Sequence, residues 1–170
     1  MRFIPIMAIL VVLFSSCSRK SAEQLYSEGV KAEAEQQFPV AIERYSELID
    51  RFQQTAVAES ALYRSALIYS NDAHDIPKAI ASYQRYYRTY PSSPHAPSAL
   101  FLAGFLWNND QHNLDSAKAA YQLFLTQYPS HELASSAKFE LDNLGKDPSQ
   151  LTPSSVKGSG GSPPAQTAAK

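Results

Sequence analysis

A chain of 170 residues with 44% hydrophobic side chains is long enough to fold around a real core as one domain. A formal net charge of −1 leaves no electrostatic case for a nucleic-acid partner. Glycine is scarce before residue 145 and alanine is frequent, which favours helices over a turn-dense β fold, and the single cysteine, Cys17, excludes an intramolecular disulfide.

The N-terminus begins with a short positive segment, Met1-Arg2, and continues as an apolar run from Phe3 to Phe14. Those 12 residues suit the core of a signal peptide and fall short of the ~20 that span a bilayer. Ser15-Ser16-Cys17 follows. Small residues directly before a cysteine resemble the lipobox of bacterial lipoproteins, although Phe14 stands where that family usually has Leu. The resemblance implies a signal peptide over residues 1–16, cleavage before Cys17 and acyl chains on that cysteine. An ordinary signal peptide with a chance cysteine is the alternative. The place of the cysteine, where apolar run meets polar chain, favours lipidation. Several acyl chains, at ~0.8 kcal/mol per buried CH₂, hold a protein stably on a membrane. In enterobacterial lipoproteins an Asp after the cysteine signals inner-membrane retention, so Ser18 points to the outer membrane and its periplasmic face. Residues 17–20 then form the anchor and a short tether, with Arg19 and Lys20 near anionic head groups.

The middle of the chain repeats. Ala41, Ala79 and Ala117 lie 38 residues apart, as do Tyr45, Tyr83 and Tyr121, then Phe52, Tyr90 and Tyr128, and finally Phe38, Ile76 and Leu114. A second set precedes these: Leu25, Leu62 and Leu100, each followed by an aromatic, Tyr26, Tyr63 and Phe101. Four residues after each Leu stands a small residue, Gly29, Ala66 and Gly104, and three further on come Ala32, Tyr69 and Trp107. This second set steps by 37 and then 38, so the first turn is one residue shorter than the others. The two sets read as helix A and helix B of a hairpin. The apolar positions fall at helical spacing, as in Ala79, Tyr83, Tyr86, Tyr87 and Tyr90. Pro39 and Pro77 suit a first helical turn, and Pro91 and Pro129 stand where a helix must stop. The small residues let two helices approach; the large ones fill the space between hairpins.

This pattern resembles tetratricopeptide repeats, whose small–aromatic–proline signature appears as Ala79, Tyr83, Pro91 and as Ala117, Tyr121, Pro129. The first repeat departs from it, with Gln53 in place of the proline. The expected fold is all-α: a tetratricopeptide-like superhelix of three helical hairpins plus a C-terminal capping helix. Its domain spans residues 21–144, divided at about 21–56, 57–94, 95–131 and a cap at 132–144. In the cap Ala137 and Phe139 keep the pattern while Lys138 replaces the leucine, as a helix with one wet face requires. Residues 145–170, with four prolines and four glycines, read as a disordered tail, either a flexible arm or an unselected solvated end.

No nucleophile, phosphate-cradling loop or paired carboxylate stands out, so we expect no enzyme activity and no cofactor. His74 and His112 share one slot in successive turns, which suits turn chemistry better than metal ligation. His95 and His131, in loops between repeats, are expected in solvent. In the repeat family helix A lines a concave groove. Its groove positions carry over to Tyr26, Tyr63 and Phe101, then Val30, Leu67 and Phe105, then Glu33, Ser70 and Asn108. These fit a groove for an extended peptide or a partner helix and equally a packed core.

A lipidated tetratricopeptide protein resembles the BamD/YfiO family of the β-barrel assembly machine, and the junctions Tyr90-Pro91-Ser92-Ser93 and Tyr128-Pro129-Ser130-His131 are especially similar. The resemblance implies a scaffold that holds assembly partners. That family typically has five repeats, against three and a cap here. The YbgF/CpoB repeat domain of the Tol-Pal system is similar in repeat number but is preceded by a coiled coil that this chain lacks. Expected partners are therefore envelope proteins of barrel assembly or Tol-Pal type, with an accessory protein that binds peptidoglycan as the competing class.

Overall fold

The computed structural model describes residues 19–146. The expectations for residues 1–16, for Cys17 and for the tail beyond residue 146 lie outside the described residues. Within them the chain is all-helical, with seven helices and no strand: α1 (Ala22–Ala34), α2 (Phe38–Phe52), α3 (Ala56–Asn71), α4 (Ile76–Thr89), α5 (Ala96–Asn109), α6 (Leu114–Gln127) and α7 (Ala134–Asp142). The column Phe38, Ile76, Leu114 supplies the first residue of each B helix.

Local chemistry sets these limits. At α1 the Ser21 hydroxyl accepts from the Gln24 amide at 3.2 Å, and the Gln24 side chain accepts from the Ser21 amide at 2.9 Å, a reciprocal cap that satisfies two otherwise orphan donors. Thr55, Asp75 and Asn113 cap α3, α4 and α6 with their side-chain oxygens. Proline occupies the first turn of α2, α4 and α5. Tyr90 and Tyr128 end α4 and α6 immediately before Pro91 and Pro129, which have no amide to continue the ladder.

The hairpin turns repeat in detail. Gln36, His74 and His112, each 38 residues from the next, adopt the left-handed conformation at φ of 58°, 50° and 50°. The next amide in each turn, of Gln37, Asp75 and Asn113, donates to the carbonyl of Ala32, Tyr69 and Trp107 at 2.8 Å. The turn chemistry is therefore divided: Asp75 and Asn113 cap the following helix, while the histidines supply the backbone reversal. The first turn spans residues 35–37 and the others 72–75 and 110–113, as the 37-residue first step implies.

Each A helix packs on its own B helix, and each B helix on the next A helix. Ala41, Ala79 and Ala117 are sealed at 0% exposure, and Tyr45, Tyr83 and Tyr121 are buried beside them. Room for these rings comes from the opposing helix: a Cβ at Gly29 would overlap the Tyr45 ring, and one at Gly104 would lie 3.1 Å from Tyr121 Cε1. One core runs from Ala22 to Leu106; a second, around Leu100, Ala117, Tyr121, Phe124 and Ala137, joins α7 to the third hairpin. Burial of a side chain such as Phe124 contributes roughly 2–3 kcal/mol from apolar area alone. On α7, Ala137 is buried while Lys138 is exposed and pairs with Asp142 at 2.9 Å, so the last helix presents one apolar and one wet face.

Candidate functional site

The A helices α1, α3 and α5 carry the residues anticipated for a groove, and α7 follows them in the same place of the repeat. Their side chains meet on one face, as contacts between successive helices show. Arg64 of α3 reaches back to α1: its Nη1 donates to Glu33 at 3.0 Å and its Nε to the Tyr26 hydroxyl at 3.3 Å. The Tyr45 hydroxyl of α2 donates to the other oxygen of Glu33 at 2.7 Å. Burial, then the bond to Glu33 and its charge, hold the Tyr45 phenol far above its ordinary range. This junction is a closed polar network with each member partnered.

The same positions are filled differently further along. In the second hairpin Ser70 replaces Glu33, and Leu102 stands where the next helix would offer an arginine, packed on the main core. In the third, Asn108 takes that place and Glu140 of α7 faces it. Burial pushes the Glu140 carboxyl up, and the Asn108 amide partly offsets this. Nearby, the sealed Tyr121 hydroxyl and the Trp107 indole N–H have no hydrogen-bond partner among the described residues. The Glu140 charge also pushes the Tyr121 phenol up, after burial as the main cause.

Between these polar ends runs an apolar stripe. Tyr26, Tyr63 and Phe101 are half-buried. Tyr26 lies 6.1 Å from Tyr45, and Phe101 5.8 Å from Tyr121. Tyr63 is held most tightly, 5.1 Å from Tyr86 and stacked on His95 at 4.9 Å. Val30, Leu67 and Ser70 are also half-buried, whereas Phe105 is open to solvent at 37% exposure. The anticipated aromatics thus divide between the two roles that the sequence left open. Tyr63 and Phe101 have one face in the core and one outside; Phe105 belongs to the surface. Phe139, half-buried on α7, continues the column begun by Tyr26. His131 departs from expectation: it is half-buried edge-on against Phe124 at 5.7 Å, and its Nδ1 accepts from the Leu133 amide.

Sequence reasoning missed Arg64 and Glu140. Their signal was present, since Arg64, Leu102 and Glu140 stand 38 residues apart. The column is hard to read because its residues, a cation, an aliphatic chain and an acid, share no chemical type. The face as a whole offers aromatic rings, an ion pair, an amide and a carboxylate, which can hold a chain by stacking, hydrogen bonding and charge. The opposite side of the stack has a separate cleft of about 270 Å³ between α2, α3 and α4. Its charged groups are already engaged, Asp50 with Arg85 at 3.6 Å and Lys78 with Asp75 at 2.7 Å. Among the described residues no helix is long and apolar enough to cross a membrane.

Comparison with curated proteins gave no match. Comparison with protein families matched residues 18–147 to YfiO, described as an outer membrane lipoprotein. The match takes in all seven helices, from the capped start of α1 to the end of α7, and it names the family that the repeat junctions resembled. By its repeated helical hairpins and by this match over most of its length, the chain belongs to the YfiO family of outer membrane lipoproteins.

Proposed function

We propose that this protein is a periplasmic scaffold, held on the outer membrane by lipid on Cys17, whose A-helix face captures segments of envelope proteins during outer-membrane protein assembly. Membership of the YfiO family carries the reading. The matched region starts at residue 18, directly after Cys17, which suits cleavage and acylation at that cysteine. In this reading residues 1–16 are the signal peptide, 17–20 the anchor and tether, 21–144 the repeat domain and 145–170 a trailing arm. The short tether keeps the binding face within a few residues of the membrane, where nascent barrel proteins and their assembly partners are found.

Two experiments test this. Cys17→Ser should move the protein from the membrane pellet to the soluble fraction and abolish incorporation of labelled palmitate. For the binding face, Phe105→Asp is the clean probe, because Phe105 is the ring most open to solvent on the stripe. Charging Tyr63 or Phe101 would instead disturb the aromatic clusters beneath them. Cross-linking in the native envelope should lose its partner adducts in F105D while helix content stays the same. Unchanged adducts would remove this face from the function.

A further inference from the structure

We propose that Asn108 and Glu140 form a receptor, at the α7 end of the concave face, for an arginine of a partner segment whose apolar side chains lie on Phe105. The inference rests on the concave-face reading above and adds to it the chemistry of the partner. It follows from comparing one position across the repeats. At the first junction an acid on the A helix, Glu33, is matched by a guanidinium from the next A helix, Arg64, 3.0 Å away. At the third junction the next A helix supplies a half-buried acid, Glu140, in the repeat position of Arg64, and the half-buried residue in the position of Glu33 is a neutral amide, Asn108. Among the described residues no Lys, Arg or His lies within ion-pair distance of Glu140, while its neighbours Lys138 and Lys146 are directed to Asp142 and Asn143.

A half-buried carboxylate without a counter-charge is costly to hold, and a donated cation relieves that cost. Asn108 and Phe105 lie three residues apart on α5 and so share a face. An arginine adjoining an apolar side chain matches that spacing. A guanidinium suits the site better than an ammonium, because its planar fork can give two N–H donors to one carboxylate and further donors to the amide oxygen.

The only tryptophan, Trp107, adjoins Asn108 and reports binding by its fluorescence. The probes are acetyl-Phe-Ala-Arg-Ala-Phe-amide and the same peptide with citrulline or Glu at the centre. Purified protein should bind the Arg peptide about tenfold more tightly than the citrulline peptide, and the Glu peptide more weakly still. Glu140→Gln should bring the Arg and citrulline peptides within about twofold of each other, with an unchanged circular dichroism spectrum. Equal affinity for the three peptides in the unmodified protein, or an Arg preference that survives in E140Q, overturns the proposal. If the peptides bind without regard to charge and F105D abolishes that binding, the concave-face reading stands and the arginine receptor falls. If no peptide binds, both fall. Self-association that depends on Glu140 in the absence of peptide would assign the site to a second copy and overturn it as well.

Discussion

Replacing Gly29 with Ala tests how the hairpins close. Two terms favour the variant: about 1 kcal/mol of helix propensity and ~0.8 kcal/mol for burying a methyl group. Against them, the new Cβ would stand 2.7 Å from Tyr45 Cδ1, well inside contact distance. The ring cannot swing clear, because Tyr45 is sealed at 0% exposure and its hydroxyl is tied to Glu33 at 2.7 Å. Overpacking of this kind costs about 1–3 kcal/mol, and loss of a hydrogen bond to a carboxylate about 1.5–3 more. Costs exceed gains, so G29A is expected to lose about 1–4 kcal/mol. The same change at Gly104 meets Ala120 Cβ and Tyr121 Cε1, both at 3.1 Å. There the hydroxyl of Tyr121 has no partner to lose, so the ring can yield by a few tenths of an ångström. For G104A gain and cost should cancel to within about 1 kcal/mol. Urea unfolding followed by Trp107 fluorescence and circular dichroism measures both variants. Equal losses at the two positions, or a G29A variant more stable than the parent, would refute the argument.

Four further outcomes can be measured the same way. Glu33→Ala should cost about 1–3 kcal/mol, because it orphans the buried Tyr45 hydroxyl. Arg64→Ala should cost only about 0.5–1 kcal/mol, since the ion pair is 39% and 27% exposed and screened by solvent. Tyr45, Tyr83 and Tyr121 are held above their ordinary value of 10.0, mainly by burial, so the folded state keeps them neutral. Their contribution is complete below that value and is lost as rising pH ionises the unfolded chain. Stability should therefore decline above pH ~10, by ~1.4 kcal/mol per pH unit for each ring, and Tyr83→Phe should make that decline shallower by one such step. Glu140 is also shifted up, so its neutral form favours folding: E140Q should be slightly more stable than the parent at neutral pH and equal to it below pH ~4.

The helices were legible because two local signals coincide. Apolar residues recur at helical spacing, and Pro39, Pro77, Pro91 and Pro129 mark starts and stops that no helix interior would tolerate. The backbone reversal at Gln36, His74 and His112 was harder to see, because left-handed residues are usually sought at glycine and none stands there. The half-buried state of Tyr63 and Phe101 depends on how far one helix pair is rotated over the next, which the repeat period does not specify.

The polar residues were the least legible part of the face, and they have the most to say about binding. Glu33 and Arg64 are 31 residues apart, and only stacking of α1 on α3 brings them together. Yet the repeat frame predicts which residue must face which, once helix A is followed into α7: Ser27, Arg64, Leu102 and Glu140 occupy one column, and Glu33, Ser70 and Asn108 face it. A matched ion pair, an uncharged serine–leucine pair and an unmatched acid follow one another along the same face. Aromatic stacking can hold a partner in any register along such a stripe, whereas one unneutralised carboxylate at its end cannot. On this face affinity should come from the rings, and register and direction from Glu140.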